Sequence, residues 1–254
     1  MSPLLTDPWF YAAALPAVTL TGLSKGGFQG ASLLSLPLLA LVMNPIQAAA
    51  VMLPVLLFQD IFSVSAFRRS IDWTMLKLMA PGVLAGTVVG WATASLVTAD
   101  HVRLLVGLIA LTFTIMAVAR RRLSGAPRPH NAVAAALWGL VSAFTSFLVH
   151  AGGAPYSVYA LPRRLPPPML AGTTAVFFAV VNLLKIPPYL HLGQITLDNF
   201  LLSVALMPMA GAANLAGIWL VRRIELGFFY KLLYTMIFLV SLKLVWDGAS
   251  ALFF

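Results

Sequence analysis

The sequence consists of ten apolar segments separated by short polar stretches, and this alternation restricts the fold more than any other feature. The first five segments cover residues 8–23, 31–43, 45–67, 73–97 and 102–119, and the second five cover 132–149, 154–161, 169–186, 197–221 and 228–246. Hydrophobic residues make up 61% of the chain and charged residues 9%, whereas about a quarter of the residues in soluble domains are charged. We therefore predict an all-α polytopic membrane protein.

The lengths of the segments predict two kinds of element. A helix needs about 20 residues to cross the bilayer, so the third, fourth and fifth segments of each set are long enough to do so. The second segments, 31–43 and 154–161, would reach only ~20 Å and ~12 Å at 1.5 Å per residue. We expect each of them to form a re-entrant hairpin with the segment before it.

A glycine-containing interruption separates the first and second segments of each set. Residues 22–30 read GLSKGGFQG, and residues 149–155 read VHAGGAP. Glycine pairs allow the backbone to turn, and a helix that starts after such a turn presents free N–H groups and the positive end of its dipole. The pattern is typical of broken helices that bind an anion, and we predict that the two interruptions face each other and form the site.

Matching residues relate the two sets as an internal repeat. The matches are Gly26-Gly27 with Gly152-Gly153, Leu36-Pro37 with Leu161-Pro162, Gly90 with Gly217, and residues 102–105 with 230–233, at offsets of 125 to 128 residues. We predict a first repeat at residues 1–119, a linker at 120–130 and a second repeat at 131–254. Because three segments of each repeat would cross the membrane, the repeats would be inverted, as in many secondary transporters.

The positions of the basic residues predict the orientation in the membrane. If the N-terminus is outside, twelve of the sixteen Lys and Arg fall on the cytoplasmic side, and Arg103 falls outside. This orientation places both termini outside and the Arg-rich linker in the cytoplasm. The first residues contain neither a basic region nor a small-residue cleavage site, so we expect the first apolar segment to stay in the membrane.

The composition argues against several other classes of protein. The chain contains no cysteine, which excludes disulfides, thiolate catalysis and iron–sulfur clusters, and its four histidines are scattered, so we predict neither a structural metal nor a cofactor. The net charge of +9 comes from small clusters between apolar segments, which argues against nucleic-acid binding. The sequence has no His-Glu-x-x-His motif and no Ser-His-Asp set within the membrane, so we predict that the protein is not an enzyme.

A glycine-rich segment followed by Leu-Pro occurs in both halves, and in the second half it reads GLVSAFTSFLVHAGGAPYSVYALP over residues 139–162. This sequence resembles the TauE/SafE family of sulfite and organosulfonate exporters, also called the toluene sulfonate uptake permease superfamily, over nearly the whole chain. The resemblance implies a bacterial inner-membrane permease for small sulfur-containing or carboxylate anions. The triple glycine usual in the family is reduced here to a glycine pair in each interruption.

We predict that the residues of the two interruptions bind the substrate. The candidates are Ser24, Lys25, Gly26, Gly27, Gln29, His150, Gly152, Gly153 and Tyr156. Lys25 would supply positive charge, although it could instead snorkel to the membrane interface. His150 could bind the substrate or carry a proton, or it could cap the preceding helix or satisfy a buried carbonyl. Gln29 and Tyr156 could equally be packing residues.

Asp60 is an acidic residue well inside a long apolar segment, and Asn182 lies at roughly the corresponding place in the second half. An acid in the membrane is costly unless it is paired or protonated, so Asp60, His150 and Asn182 are our candidates for proton coupling. The alternative for Asp60 is a structural salt bridge with Lys25 or Lys185.

Other small and polar residues of the crossing segments predict helix packing. We expect Thr173, Thr174 and Asn214 to form hydrogen bonds between helices, and Gly82, Gly86 and Gly90 to allow close approach of neighbouring helices.

These features together predict a secondary transporter that moves a small anion by alternating access, and we favour export as the direction of transport. Sulfite, an organosulfonate and a small carboxylate are the candidate substrates, and lipid is the other expected partner. Protons or the membrane potential would drive transport. An anion channel would share the same sequence features. A membrane assembly factor or an intramembrane enzyme are alternatives of other classes, but an assembly factor usually has a soluble domain or a long loop.

Overall fold

The computed structural model describes residues 3–26, 31–120, 128–220 and 226–253, and the regular elements within these ranges are helices. The α-helices are α1 (Pro8–Gly26), α2 (Ser35–Ala40), α3 (Pro45–Phe67), α4 (Trp73–Thr93), α5 (Ala99–Arg120), α6 (Ala132–Val149), α7 (Gly153–Ala160), α8 (Pro167–His191), α9 (Leu197–Leu220) and α10 (Leu226–Phe253). Short 3₁₀ turns occur at Pro3–Thr6, Ala31–Leu34, Ala94–Leu96 and Leu161–Arg163. The predicted all-α class is confirmed.

Five helical stretches in the described part of the chain are long and apolar enough to cross a membrane. They are Pro45–Phe67, Trp73–Leu96, Ala132–Val149, Pro168–His191 and Leu197–Trp219. Large apolar side chains such as Val88, Leu183 and Leu215 point outward from these stretches and are more than half exposed, as lipid contact requires. The chain is therefore a multi-pass membrane protein. Crossing by α5 and α10 stays a prediction, and α6 has the length to cross although we assigned it to a re-entrant hairpin.

Polar side chains cap the N-termini of several of the long helices. Asn44 accepts a hydrogen bond from the backbone N–H of Ile46 at 2.9 Å before α3, and Asn131 accepts one from Ala134 at 2.8 Å before α6. Before α4, Asp72 accepts from the N–H of Met75 at 3.0 Å. Each cap satisfies an N–H group that has no partner within its helix.

Helix α8 is longer than we predicted. The predicted segment ends at residue 186, before Pro187 and Pro188, but the helix continues to His191. The N–H of Leu192 donates to the carbonyl of Pro188 at 2.9 Å, so hydrogen bonding resumes after the prolines. A proline removes its own N–H from the helix, and membrane helices tolerate this loss where neighbouring groups satisfy the freed carbonyl. As a result Lys185 lies inside a helix of membrane length.

The helices pack in pairs that correspond between the two halves of the chain. In the predicted repeat α1 corresponds to α6 and α4 corresponds to α9. Helix α1 lies along α9, and α6 lies along α4. Helix α3 packs against its own counterpart α8, and α5 packs against α10. The halves are thus interlocked, because the first helix of each half packs against the fourth helix of the other.

Close packing between α4 and α6 depends on glycines. A Cβ atom added at Gly82 would lie 1.8 Å from the carbonyl oxygen of Ala136, and one added at Gly86 would lie 2.2 Å from that of Leu140. Both distances are far below van der Waals contact, so only glycine fits there. The predicted packing role of these glycines is confirmed.

Candidate functional site

A cavity of about 100 Å³ lies between the two halves, at the level where α1 and α6 end. The first half contributes Ser24, Lys25, Ser32 and Ser35, and the second half contributes Ser146, His150, Gly153, Tyr156, Ser157 and Asn182. This volume is the space open to the centre of a water molecule, of which one water needs about 10–15 Å³, so the cavity has room for a small polyatomic anion. Both interruptions therefore line one cavity, whose largely apolar wall carries several polar side chains.

The cavity brings together many, but not all, of the residues that we predicted. Ser24, Lys25, His150, Gly153, Tyr156 and Asn182 line it. Asp60 lies behind its wall and is 4% exposed. Gly26 is the last residue of α1, and Gly152 directly precedes α7 and does not line the cavity. The predicted residues Gly27 and Gln29 lie outside the described residues.

The second interruption turns at His150 and not at the glycine pair. His150 has a φ of 52°, in the left-handed region, and its N–H closes α6 on the carbonyl of Ser146 at 3.1 Å. Histidine adopts this conformation more readily than branched residues do. Gly152 has helical angles, φ −63° and ψ −17°, so the backbone turn that we assigned to the glycines is wrong in position. Of the alternatives for His150, the cap on the preceding helix is present in the structure.

The two glycines meet different surroundings. A Cβ atom at Gly152 would lie 2.5 Å from the carbonyl oxygen of Ser142, so glycine is needed for α6 and α7 to approach. A Cβ atom at Gly153 would meet nothing within 4 Å and would enter the cavity. Gly152 therefore has a packing role, and Gly153 leaves space in the cavity.

The first interruption has a different geometry from the second. The chain resumes with the 3₁₀ turn Ala31–Leu34, and the α-helix starts only at Ser35 and has 6 residues. The hydroxyl of Ser24 donates to that of Ser32 at 3.1 Å, which joins the two sides of the interruption. We expected an α-helix to begin near Ala31. Because α2 is short and is preceded by a 3₁₀ turn, its dipole is weaker than that of an α-helix starting at the cavity.

Lys25 and Asp60 form an ion pair at the wall of the cavity. Their side chains are 13% and 6% exposed, and the ammonium of Lys25 contacts Oδ1 of Asp60. The other carboxylate oxygen accepts a hydrogen bond from the amide of Asn182 at 2.7 Å. Of the two alternatives for Asp60, the salt bridge with Lys25 is therefore present in the structure. A buried pair of this kind is stable only if both members remain.

Lys185 is fully buried beside the cavity, and we did not predict it as a site residue. Its ammonium nitrogen lies 2.9 Å from Oγ of Ser146, 2.9 Å from Nδ1 of His150 and 3.2 Å from Oδ1 of Asn182. All three partners line the cavity. The signal that could have found Lys185 is its spacing of three residues from Asn182, which places both side chains on the same face of a helix.

His150 is held between α3 and α8. Its Nε2 lies 2.8 Å from the carbonyl oxygen of Ala49, and because a carbonyl only accepts, Nε2 must carry a hydrogen. In the neutral ring Nδ1 is then free to accept a hydrogen bond from Lys185. The histidine thus links the second interruption to helices of both halves.

Tyr156 combines packing with contact to the cavity. Its ring lies 4.7 Å from that of Phe177 and 5.6 Å from that of Phe178, measured between centroids. Its hydroxyl accepts a hydrogen bond from Thr174 at 3.1 Å. The packing role that we considered for Tyr156 is present, and the residue also closes one side of the cavity.

Other polar residues join helices, as we predicted. The amide of Asn214 on α9 donates to the carbonyl of Gln59 on α3 at 2.9 Å. Thr173 on α8 accepts from the N–H of Asp72, before α4, at 2.8 Å. In the described residues no three His, Asp or Glu side chains lie close enough together to hold a metal ion.

Membrane-length helices around a small internal cavity define a polytopic membrane protein. The family model described as sulfite exporter TauE/SafE matches residues 14–244, which is nearly the whole chain. The chain belongs to this family, and it is accordingly a membrane transporter of the class that moves sulfite and related anions. The searches of curated proteins and of solved structures gave no match.

Proposed function

We propose that the protein is a secondary transporter that exports a small anion, such as sulfite, an organosulfonate or a small carboxylate, and that the cavity is its substrate site. The observation that supports this most is that both interruptions line the same cavity. A site shared by two halves can open to one side of the membrane or to the other when the halves move relative to each other.

The surroundings of the cavity can compensate the charge of an anion that has left water. The N-terminus of α7 lies at the cavity wall, with Gly153 in the lining, and provides partial positive charge. Lys25 also lines the cavity and can donate a hydrogen bond to the substrate while it keeps its contact with Asp60, because an ammonium has three N–H groups. The hydroxyl of Ser32, which accepts from Ser24, offers a further donor.

The proposed cycle uses the packing of the helices of one repeat against those of the other. One repeat, residues 1–119, rocks against the other, residues 131–254, and the linker at 120–130 stays in the cytoplasm. Both termini are external in this proposal, and the membrane is the bacterial inner membrane. The membrane potential favours export, since moving one negative charge outward gains about 2.3 kcal/mol per 100 mV. Asp60, Asn182 and His150 belong to the polar cluster that would couple transport to protons.

Transport by purified protein in proteoliposomes tests this proposal. Vesicles loaded with unlabelled sulfite, thiosulfate, methanesulfonate or acetate are diluted into labelled sulfite, and the uptake of label is followed. A carrier shows saturable uptake that exceeds equilibrium for a time, because internal substrate exchanges for external label. Linear flux without counterflow would favour an anion channel, and no flux with any of the anions would contradict the proposed function.

A further inference from the structure

The charges around the cavity do not balance, and the imbalance is located at Lys185. Among the described groups that line or adjoin the cavity, Lys25 is matched by Asp60, and Tyr156 is bonded to the neutral hydroxyl of Thr174. Lys185 contacts a hydroxyl, an imidazole and an amide, and none of these carries a negative charge in its neutral form.

The hydrogen-bond directions around Lys185 are fixed by groups farther away. The carboxylate of Asp60 only accepts, so the nitrogen of the Asn182 amide must face it and the amide oxygen must face Lys185. In the same way the carbonyl of Ala49 requires a hydrogen on Nε2 of His150, which leaves Nδ1 to face Lys185 as an acceptor. Two partners of Lys185 are therefore acceptors, and they need two N–H donors.

The third partner can serve either state of Lys185. Ser146 carries a hydroxyl that accepts a hydrogen bond from an ammonium, or donates one to the lone pair of a neutral amine after rotating. Lys185 can thus lose one proton and still satisfy Asn182 and His150. By contrast, protonation of Asp60 would weaken its contact with Lys25, and a second proton on His150 would point at the ammonium of Lys185.

We propose that Lys185 binds the coupling proton of the transport cycle, so that the site takes up one proton together with one singly charged anion. The loaded site then moves no net charge, so, unlike an anion that moves alone, the pair is driven outward by the concentration gradient of the anion and not by the membrane potential. On release, a proton passes from Nζ of Lys185 to Oγ of Ser146, the Ser146 hydroxyl gives its own proton to water in the cavity, and Nζ keeps the electron pair. Lys185 is neutral when the cavity holds no anion and cationic when an anion is present. This inference rests on the proposed function, because it assigns the coupling ion of the same site.

The proton count per sulfite tests the inference. Uptake of labelled sulfite into proteoliposomes is measured in parallel with internal pH, for the wild type, for Lys185→Gln and for the control Lys243→Gln, which removes a 58%-exposed lysine paired with Asp247. Glutamine keeps two N–H donors and an acceptor but cannot take up a proton. Protons carried by sulfite itself add the same amount to the measured ratio for all three proteins. A difference in the ratio between the proteins therefore reports protons that bind to the protein.

We expect Lys185→Gln to move one proton fewer per sulfite than the wild type. It should also bind sulfite about ten- to a hundredfold more weakly, because it lacks the positive charge that Lys185 holds directly behind the side chains lining the cavity. Lys243→Gln should match the wild type. A folded Lys185→Gln protein with the wild-type ratio would overturn the inference, whereas absence of sulfite flux in the wild type would count against the proposed function instead.

A second variant keeps the test decisive if Lys185→Gln does not fold. Ser146→Ala leaves Lys185 in place but removes the hydroxyl that passes the proton to the cavity. Proton movement should slow at least about tenfold relative to the wild type, with sulfite affinity changed much less. Wild-type proton movement in Ser146→Ala would contradict the proposed path from Lys185.

Discussion

The amide of Asn182 donates a hydrogen bond of 2.7 Å to the carboxylate of Asp60, and these two residues stand at roughly corresponding places in the predicted repeat. The contact joins α3 to α8, the counterpart helices that pack against each other. Asp60 also holds Lys25 from the first interruption, and Asn182 contacts Lys185, which holds His150 from the second. One polar chain therefore connects both interruptions across the interface between the halves.

The ion pair between Lys25 and Asp60 should behave as a buried pair. Lys25→Met leaves Asp60 uncompensated, and we expect it to lower the free energy of unfolding by about 3–5 kcal/mol. The double variant Lys25→Met/Asp60→Asn should recover most of this loss, because neither member of the pair is then left as a lone charge and the new amide oxygen can still accept from Asn182. Thermal unfolding in detergent with a fluorescent probe measures both.

The exposed pair Lys243–Asp247 is the control for this comparison, and Lys243→Met should change stability by less than about 1 kcal/mol. If the effects of the two single substitutions at Lys25 and Asp60 simply added in the double variant, the two side chains would not be acting as a pair.

The neighbouring glycines of the second interruption should respond differently to the same substitution. Gly152→Ala places a methyl group 2.5 Å from the carbonyl oxygen of Ser142 and should destabilise the protein by about 1–3 kcal/mol or prevent folding. The methyl group added by Gly153→Ala meets open space, so the free energy of unfolding of this variant should lie within about 1 kcal/mol of the wild-type value. Detergent stability of the two purified variants gives the comparison, and equal destabilisation would show that the packing of α6 on α7 is not as described.

Membrane topology tests the inverted arrangement of the repeats. Reporter proteins fused after Arg122 and after Arg164 should both read as cytoplasmic, and a reporter after Phe254 should read as external, because basic residues favour the cytoplasmic side. An even number of crossings between the first and third fusion points would rule out inverted repeats while leaving the cavity unaffected.

Much of the site could be predicted because its residues interrupt apolar segments. A Lys or His next to a glycine pair in a membrane segment has few structural explanations, and Lys25 and His150 do line one cavity. The all-helical class and the membrane location followed from length and hydropathy, which the surrounding lipid enforces directly.

Features that depend on contacts between distant segments were beyond prediction. Lys185 was placed at the end of its segment because Pro187 and Pro188 follow it, and only tertiary packing shows that α8 continues. The turn at His150 was assigned to glycine by propensity, but the conformation is stabilised by contacts to Ala49 and Lys185, on helices far away in sequence.

The central claim is that the cavity between the interruptions binds the transported anion, and direct binding to a protein with a filled cavity tests it. Gly153→Leu directs a large side chain into open space without a clash at its Cβ atom. Equilibrium binding of labelled sulfite to purified, detergent-stable wild type and Gly153→Leu should show binding to the wild type and a loss of at least about a hundredfold in affinity for the variant. Wild-type affinity in a folded Gly153→Leu protein would place the anion elsewhere and contradict the account.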